Sequence, residues 1–191
     1  YIINFISFSL FFIFIYRIKG NILKHKSLFK YGWYFGFGYF LLSLYWIVIS
    51  LTFDQSFKFI IPLALILVPS FLAIFYGVVT YLFSVFYSKN VVISFFIFSI
   101  LFGIIEFIRG SVLTGFPWNL IAFSFSNNVY FIQILSVIGT YSFNLICISF
   151  FTIPALFFLK NSNKEIFVSF VFVVIFISFT IYGYLKNNKF N

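Results

Sequence analysis

Val91 to Asn119 reads V-V-I-S-F-F-I-F-S-I-L-F-G-I-I-E-F-I-R-G-S-V-L-T-G-F-P-W-N. A membrane-crossing helix needs about 20 predominantly apolar residues. Val91 to Ile108 nearly supplies them, with a single charge at Glu106. Glu106 is one of only three acidic residues in the chain. A carboxylate beside hydrocarbon is costly, so it has a partner or a role. Arg109 lies three residues on, one helical turn away, where the two side chains meet. Gly110, Gly115 and Pro117 then break the apolar run, and Trp118 adds a large amphipathic anchor.

The whole chain follows the same pattern. It is 63% hydrophobic and 8% charged, with mean hydropathy +1.15. A soluble domain carries about 25% charged residues, so these 191 residues cannot cover a water-facing surface. They are expected to form one all-α domain over 1–191, a polytopic transmembrane helix bundle. The 36 Phe residues accompany abundant Ile, Asn, Lys and Tyr and scarce Ala. Those five types have A/T-rich codons, so genome composition explains the bias. Aromatics then fill helix interfaces and interfacial belts. Met is absent and the chain opens at Tyr1 inside an apolar run, so it is expected to be a fragment. No basic region precedes that run, and it does not read as a signal peptide.

Six segments qualify or nearly qualify as spans: Tyr1 to Tyr16, Tyr31 to Thr52, Phe59 to Tyr87, Val91 to Ile108, Ser142 to Leu159 and Ile166 to Leu185. Pro62 falls in the first turn of the third, where proline is tolerated, while Pro69 is interior and is expected to kink it. Tyr130 to Ile138 is too short to cross and is placed at the interface. Arg109 to Asn128 is a long, moderately apolar loop, expected to dip into the interface or cover the bundle.

Net charge is +9. In a soluble domain this would point to nucleic acid. Here the charges lie in loops, so topology explains them and no nucleic-acid partner is expected. Alternating sides group Arg17, Lys19, Lys24, Lys26, Lys30, Lys89, Lys160 and Lys164 against Lys58, Arg109, Lys186 and Lys189. Cytoplasmic loops are enriched in Lys and Arg. The set of eight is therefore expected in the cytoplasm, with both chain ends on the outer side.

Gly32 and Gly36 form a G-x-x-x-G step that lets helices approach closely, followed by Gly38. Trp33 and Trp46 are roughly 20 Å apart on one helix and are expected in its two aromatic belts. One Cys and one His exclude a disulfide framework and a clustered metal site. Cys147 reads as a small core residue, and His25 as a solvated loop residue. No cofactor is expected. Glu106 and Arg109 have two open readings: a pair that only fixes the start of the next loop, or part of a lipid-facing site.

Two stretches carry a resemblance. G-W-Y-F-G-F-G-Y-F-L-L-S-L-Y-W-I, Gly32 to Ile47, resembles a motif of the apolipoprotein N-acyltransferase family. E-F-I-R-G-S-V-L-T-G-F-P-W-N, Glu106 to Asn119, resembles that family's E-x-x-R-G-x-x-x-T-G-F-P-W block. The resemblance covers most of the chain, as the family's amino-terminal membrane domain without its first helix. It implies an enzyme of the bacterial inner membrane that moves an acyl chain from a phospholipid to the N-terminal amine of a diacylglyceryl-cysteine lipoprotein. The acyl group would pass through a thioester on a Cys of a nitrilase-like domain that follows the membrane domain on the periplasmic side. None of that domain is recognised here, no catalytic residue is carried over, and Cys147 does not match the nucleophile. The chain alone is expected to be inactive.

Glu106, Arg109, Phe116, Pro117 and Trp118 are then the candidate substrate-binding residues, and Gly32 and Gly36 the helix-packing pair. Phospholipid donor, diacylglyceryl lipoprotein acceptor and membrane lipids are the implied partners. The alternatives are a small transporter or channel subunit, or a non-catalytic assembly subunit. Transporters usually show repeats and charged or broken helices near the midplane, whereas Glu106 lies near a helix end.

Overall fold

The structure, a computed structural model, describes residues 2–20, 25–53, 55–112, 115, 117–160 and 162–190. Every regular element among them is helical. In order these are α1 (Ile2–Gly20), α2 (His25–Leu44), 3-10 segments Tyr45–Thr52 and Gln55–Ile60, α3 (Ile61–Phe86) and α4 (Val91–Ser111). There follow a 3-10 turn Ile121–Phe125, α5 (Val129–Ile132), α6 (Leu135–Ile138), α7 (Thr140–Phe158) and α8 (Asn163–Phe190). Six helical stretches are long and apolar enough to cross a membrane. The fold is the all-α bundle that the composition dictates.

The element ends differ from the expected ones for local reasons. α2 starts at His25, six residues before the apolar run, because a helix continues beyond hydrocarbon wherever its residues allow. His25 is thus a helix residue, with Nδ1 2.6 Å from Ser84 Oγ. At its other end α2 tightens into the 3-10 segment that holds Trp46. Trp33 lies against α3, and its indole N–H donates to the Ser70 carbonyl at 3.0 Å. It fastens two helices, while Trp46 is exposed. α3 carries Pro62 in its first turn and continues through Pro69.

Lipid tails are as apolar as Leu, so helices associate through close packing and hydrogen bonds. The α2–α3 contact shows this. A Cβ on Gly32 would collide with Thr80 and the Tyr76 carbonyl, and one on Gly36 would reach Tyr76 Cβ at 2.8 Å. The closeness lets Thr80 Oγ1 donate to the Leu28 carbonyl of α2 at 2.7 Å. Elsewhere the core is aromatic. Phe98 meets Phe102 at 4.7 Å between centroids, Tyr76 meets Phe102 at 4.9 Å, and Phe12 meets Phe98 at 5.2 Å. Such pairs each contribute about 0.5–1.5 kcal/mol beyond their buried area.

The helix ends gather into two groups. Tyr16 donates to the Lys89 carbonyl at 2.6 Å, so the ends of α1 and α3 lie together with the start of α4. α8 starts with a capping box: Ser162 N–H donates to Glu165 Oε2 at 2.9 Å, and Ser162 Oγ accepts from Lys164 N–H at 3.2 Å. At the opposite end Asn4 of α1 donates to Ser124 Oγ at 2.6 Å, and Lys186 of α8 donates to Ser136 Oγ at 2.6 Å.

Candidate functional site

The site begins with a helix that has to end. Asn90 caps α4 by accepting from Ile93 N–H at 3.2 Å. Fifteen residues after Val91, about 22 Å along the axis at 1.5 Å per residue, Glu106 faces the bundle. Arg109 is one turn on, on the same face. Both are buried, at 0% and 1% exposure. Arg109 Nη2 donates to Glu106 Oε2 at 2.6 Å, and Nε donates to Oε1 at 3.2 Å. This is a two-pronged pair, the geometry in which a guanidinium binds a carboxylate most strongly. The Phe40 ring of α2 stands 5.3 Å from the guanidinium carbon, within cation–π range.

One further donor leaves the pair. Arg109 Nη1 donates to the Trp118 carbonyl at 3.1 Å. The loop after α4 is thereby drawn back over the helix end. Gly115 adopts φ +74 and Asn119 φ +64. A residue with a Cβ resists that left-handed conformation, which glycine adopts freely and Asn tolerates. The loop is then fastened from three other helices. Asn119 Nδ2 donates to Ser43 Oγ at 2.5 Å, and Tyr39 Oη donates to the Asn119 carbonyl at 3.4 Å, both on α2. Asn144 of α7, fully buried, accepts from Ala122 N–H at 2.9 Å. Asn4 of α1 holds Ser124. Leu120, Ile121, Ala122 and Phe125 are buried beneath.

The expected site residues fall into distinct places. Glu106 and Arg109 lie inside the bundle, walled by α2 and the loop. Pro117 and Trp118 are exposed, Trp118 at 59%. Phe116 lies outside the described residues, as do Leu113 and Thr114 of the same block. Gly32 and Gly36 face α3, on the α2–α3 contact. Cys147 is fully buried in α7. Among the described residues no group of three His, Cys, Asp or Glu side chains could hold a metal.

Sequence reading missed Tyr39, Phe40, Ser43, Asn119 and Asn144. Asn144 carries a signal that was available: a carboxamide inside an apolar helix needs a partner. Tyr39 and Ser43, four apart, share a face of α2, but nothing local marks that face as the one the loop would reach. Among the described residues the arrangement has no nucleophile–base pair. It ties an exposed aromatic ring and its neighbouring proline to a buried ion pair through the Trp118 carbonyl.

Comparison with known proteins agrees with the helical bundle and its motif. A family model described as the apolipoprotein N-acyltransferase N-terminal domain matches residues 1–150. The chain is 37% identical over 130 residues to an apolipoprotein N-acyltransferase of Rhizobium etli, covering 68% of this chain and 24% of that protein. It is 39% identical over 136 residues to that of Rickettsia typhi, covering 71% and 27%. For Rickettsia prowazekii the values are 41% over 120 residues, 62% and 24%. The matched part spans about a quarter of the length of these relatives. A family match over most of the chain, together with the folded E-x-x-R-G block, makes this chain a member of the apolipoprotein N-acyltransferase family, through that family's N-terminal domain.

Proposed function

We propose that this chain is the membrane domain of an enzyme that transfers an acyl chain from a phospholipid to the N-terminal amine of diacylglyceryl-cysteine lipoproteins. Its role is to hold the reacting lipids at the bilayer surface. The observation that carries the reading is the Arg109–Trp118 hydrogen bond. The bond holds an exposed Trp and Pro at that end of the bundle; on this reading acyl chains enter beside them sideways from the bilayer, with head groups pointing outward. Both substrates are lipid-anchored, so a fixed wall at that depth orients them without a soluble pocket.

The chemical step belongs to groups outside these 191 residues, on a nitrilase-like domain. Cys147 is buried among apolar side chains and does not match the family's nucleophile. A thioester on an activated Cys would keep the acyl group reactive between two separate binding events. The orientation follows from the eight-to-four division of Lys and Arg. The end with Arg17 and Lys89 faces the cytoplasm. The Trp118 end and the end of α8 face the periplasm, across the inner membrane of a bacterium; Asn191 lies outside the described residues.

The test uses the full-length gene product in proteoliposomes with acyl-labelled phospholipid and a diacylglyceryl-cysteine peptide. The expected result is labelled amide at the peptide N-terminus, strongly reduced by Trp118→Ala. No transfer by the wild-type protein, or thioester accumulating on Cys147, would contradict the reading.

A further inference from the structure

α1 and α2 meet mainly through aromatic rings. Phe11 stacks on Phe35 with centroids 4.0 Å apart, and Phe14 meets Tyr31 edge-on at 5.1 Å. Beside Phe35 the helices stand apart. They leave two apolar hollows of about 630 and 400 Å³ that share Ser7 and Phe35 in their linings. Together these form one furrow on the outside of the bundle. It extends from Ile3 to Ile18 of α1, about 22 Å at 1.5 Å per residue. Two small residues hollow it out. Ser7 has a short side chain, and a Cβ on Gly38 would meet nothing within 4 Å. Each hollow has the volume of a small-ligand site, roughly 300–1,000 Å³.

The two ends of the furrow differ in polarity. At the Ser43 end Asn4 donates to Ser124, while Ser43 donates to the Tyr39 carbonyl and accepts from Asn119. At the other end Arg17 is exposed and forms no ion pair among the described residues. A guanidinium in that position matches a phosphate in charge and in fork geometry. One cationic end and a hydrocarbon-lined remainder match a molecule with one anionic head and a long apolar tail.

We propose that the furrow between α1 and α2 holds an anionic phospholipid of the bilayer, its phosphate on Arg17 and one acyl chain along Phe11, Phe35 and Gly38. Its head lies at the opposite end of the bundle from Trp118. The site is therefore an occupancy that completes the α1–α2 contact, and it stands apart from the acyl-transfer reading.

The test places the full-length gene product in nanodiscs of phosphatidylcholine, alone or with phosphatidylglycerol. Native mass spectrometry counts retained lipid, and thermal unfolding reports its effect. The wild type should retain phosphatidylglycerol and melt higher with it. Arg17→Gln should weaken retention about tenfold, the loss of a charge-assisted contact. Gly38→Leu, which fills open space, should abolish retention without lowering the melting point in phosphatidylcholine alone. Lys164→Gln, at the same end but outside the furrow, should change neither. The exposed Arg17 substitution keeps the test decisive should Gly38→Leu fold poorly. Equal losses in Arg17→Gln and Lys164→Gln would overturn the proposal, since diffuse surface charge would then explain binding. Undiminished retention in Gly38→Leu would overturn it as well. So would a concentration-dependent dimer lost in Gly38→Leu, because a second copy would then fill the furrow, or a crosslink in the full-length protein between Gly38→Cys and the chain that precedes Tyr1, because that segment would then fill it.

Discussion

The two ends of the bundle are closed by different means. At the Arg17 end the turns are short and the bonds mostly local. Ser94 Oγ donates to the Ser88 carbonyl at 2.6 Å, Asn90 caps α4, and Glu165 caps α8. At the Trp118 end a long loop is held by partners distant in sequence: Ser43 for Asn119, Asn144 for Ala122, Asn4 for Ser124. Arg17 is exposed, whereas Arg109 is buried in a complete ion pair. Local caps end helices. Long-range polar bonds give a loop one position, which the proposed orienting of two lipids requires. The contrast assigns the shaped surface to the Trp118 end.

Substitutions at the two ends can break this contrast, and the largest effect is expected at Arg109. Arg109→Ala leaves Glu106 charged and buried without its partner, a loss of about 3–5 kcal/mol. It should lower the melting temperature sharply in lipid. Next is Asn119, which combines a left-handed backbone with the bond to Ser43. Asn119→Ala should cost about 1–2 kcal/mol from backbone strain, besides the lost hydrogen bond. Asn119→Gly keeps the backbone free and should lose less. Equal losses would mean that strain contributes nothing there.

Smaller effects sharpen the same comparison. Tyr16→Phe removes one hydrogen bond at the Arg17 end and should cost about 1 kcal/mol, with turnover of the full-length enzyme unchanged. A fall in turnover would show that the Arg17 end also shapes the reacting surface. Trp118→Ala should change stability by about 0.5 kcal/mol or less, as for exposed side chains generally, yet reduce turnover. Unchanged turnover would leave Trp118 as an ordinary interfacial aromatic.

The six spans were legible because hydrocarbon demands long apolar runs, and the chain has few charges with which to interrupt them. Their α-helical ends were less so. Lys26 and Lys30 lie outside any apolar count, yet they continue α2. The Glu106–Arg109 pair was legible from its spacing. Its depth was not, because burial depends on α2 and on a loop returning from nine residues away. The fastening bonds were the least legible. Ser43 and Asn119 are 76 positions apart, and Asn4 and Ser124 are 120 apart. Small polar residues at such separations have no periodicity. Gly32 and Gly36, read as the packing pair, press on α3, while Gly38, two residues on, faces open space.

The central claim is that the buried pair fastens the Trp118 loop and that acyl transfer depends on this. The most direct measurement compares Glu106→Gln, Arg109→Gln, their double variant and the charge swap Glu106→Arg/Arg109→Glu in the full-length enzyme. Melting temperature and turnover are read on the same samples in lipid. Each single variant should be destabilised and slow, and the double variant should lose less than the sum of the two, as contacting partners do. The swap should regain stability through a restored pair. Turnover should stay low, because no guanidinium at position 109 remains to hold the Trp118 carbonyl. Full stability and full turnover in either single variant would contradict the claim.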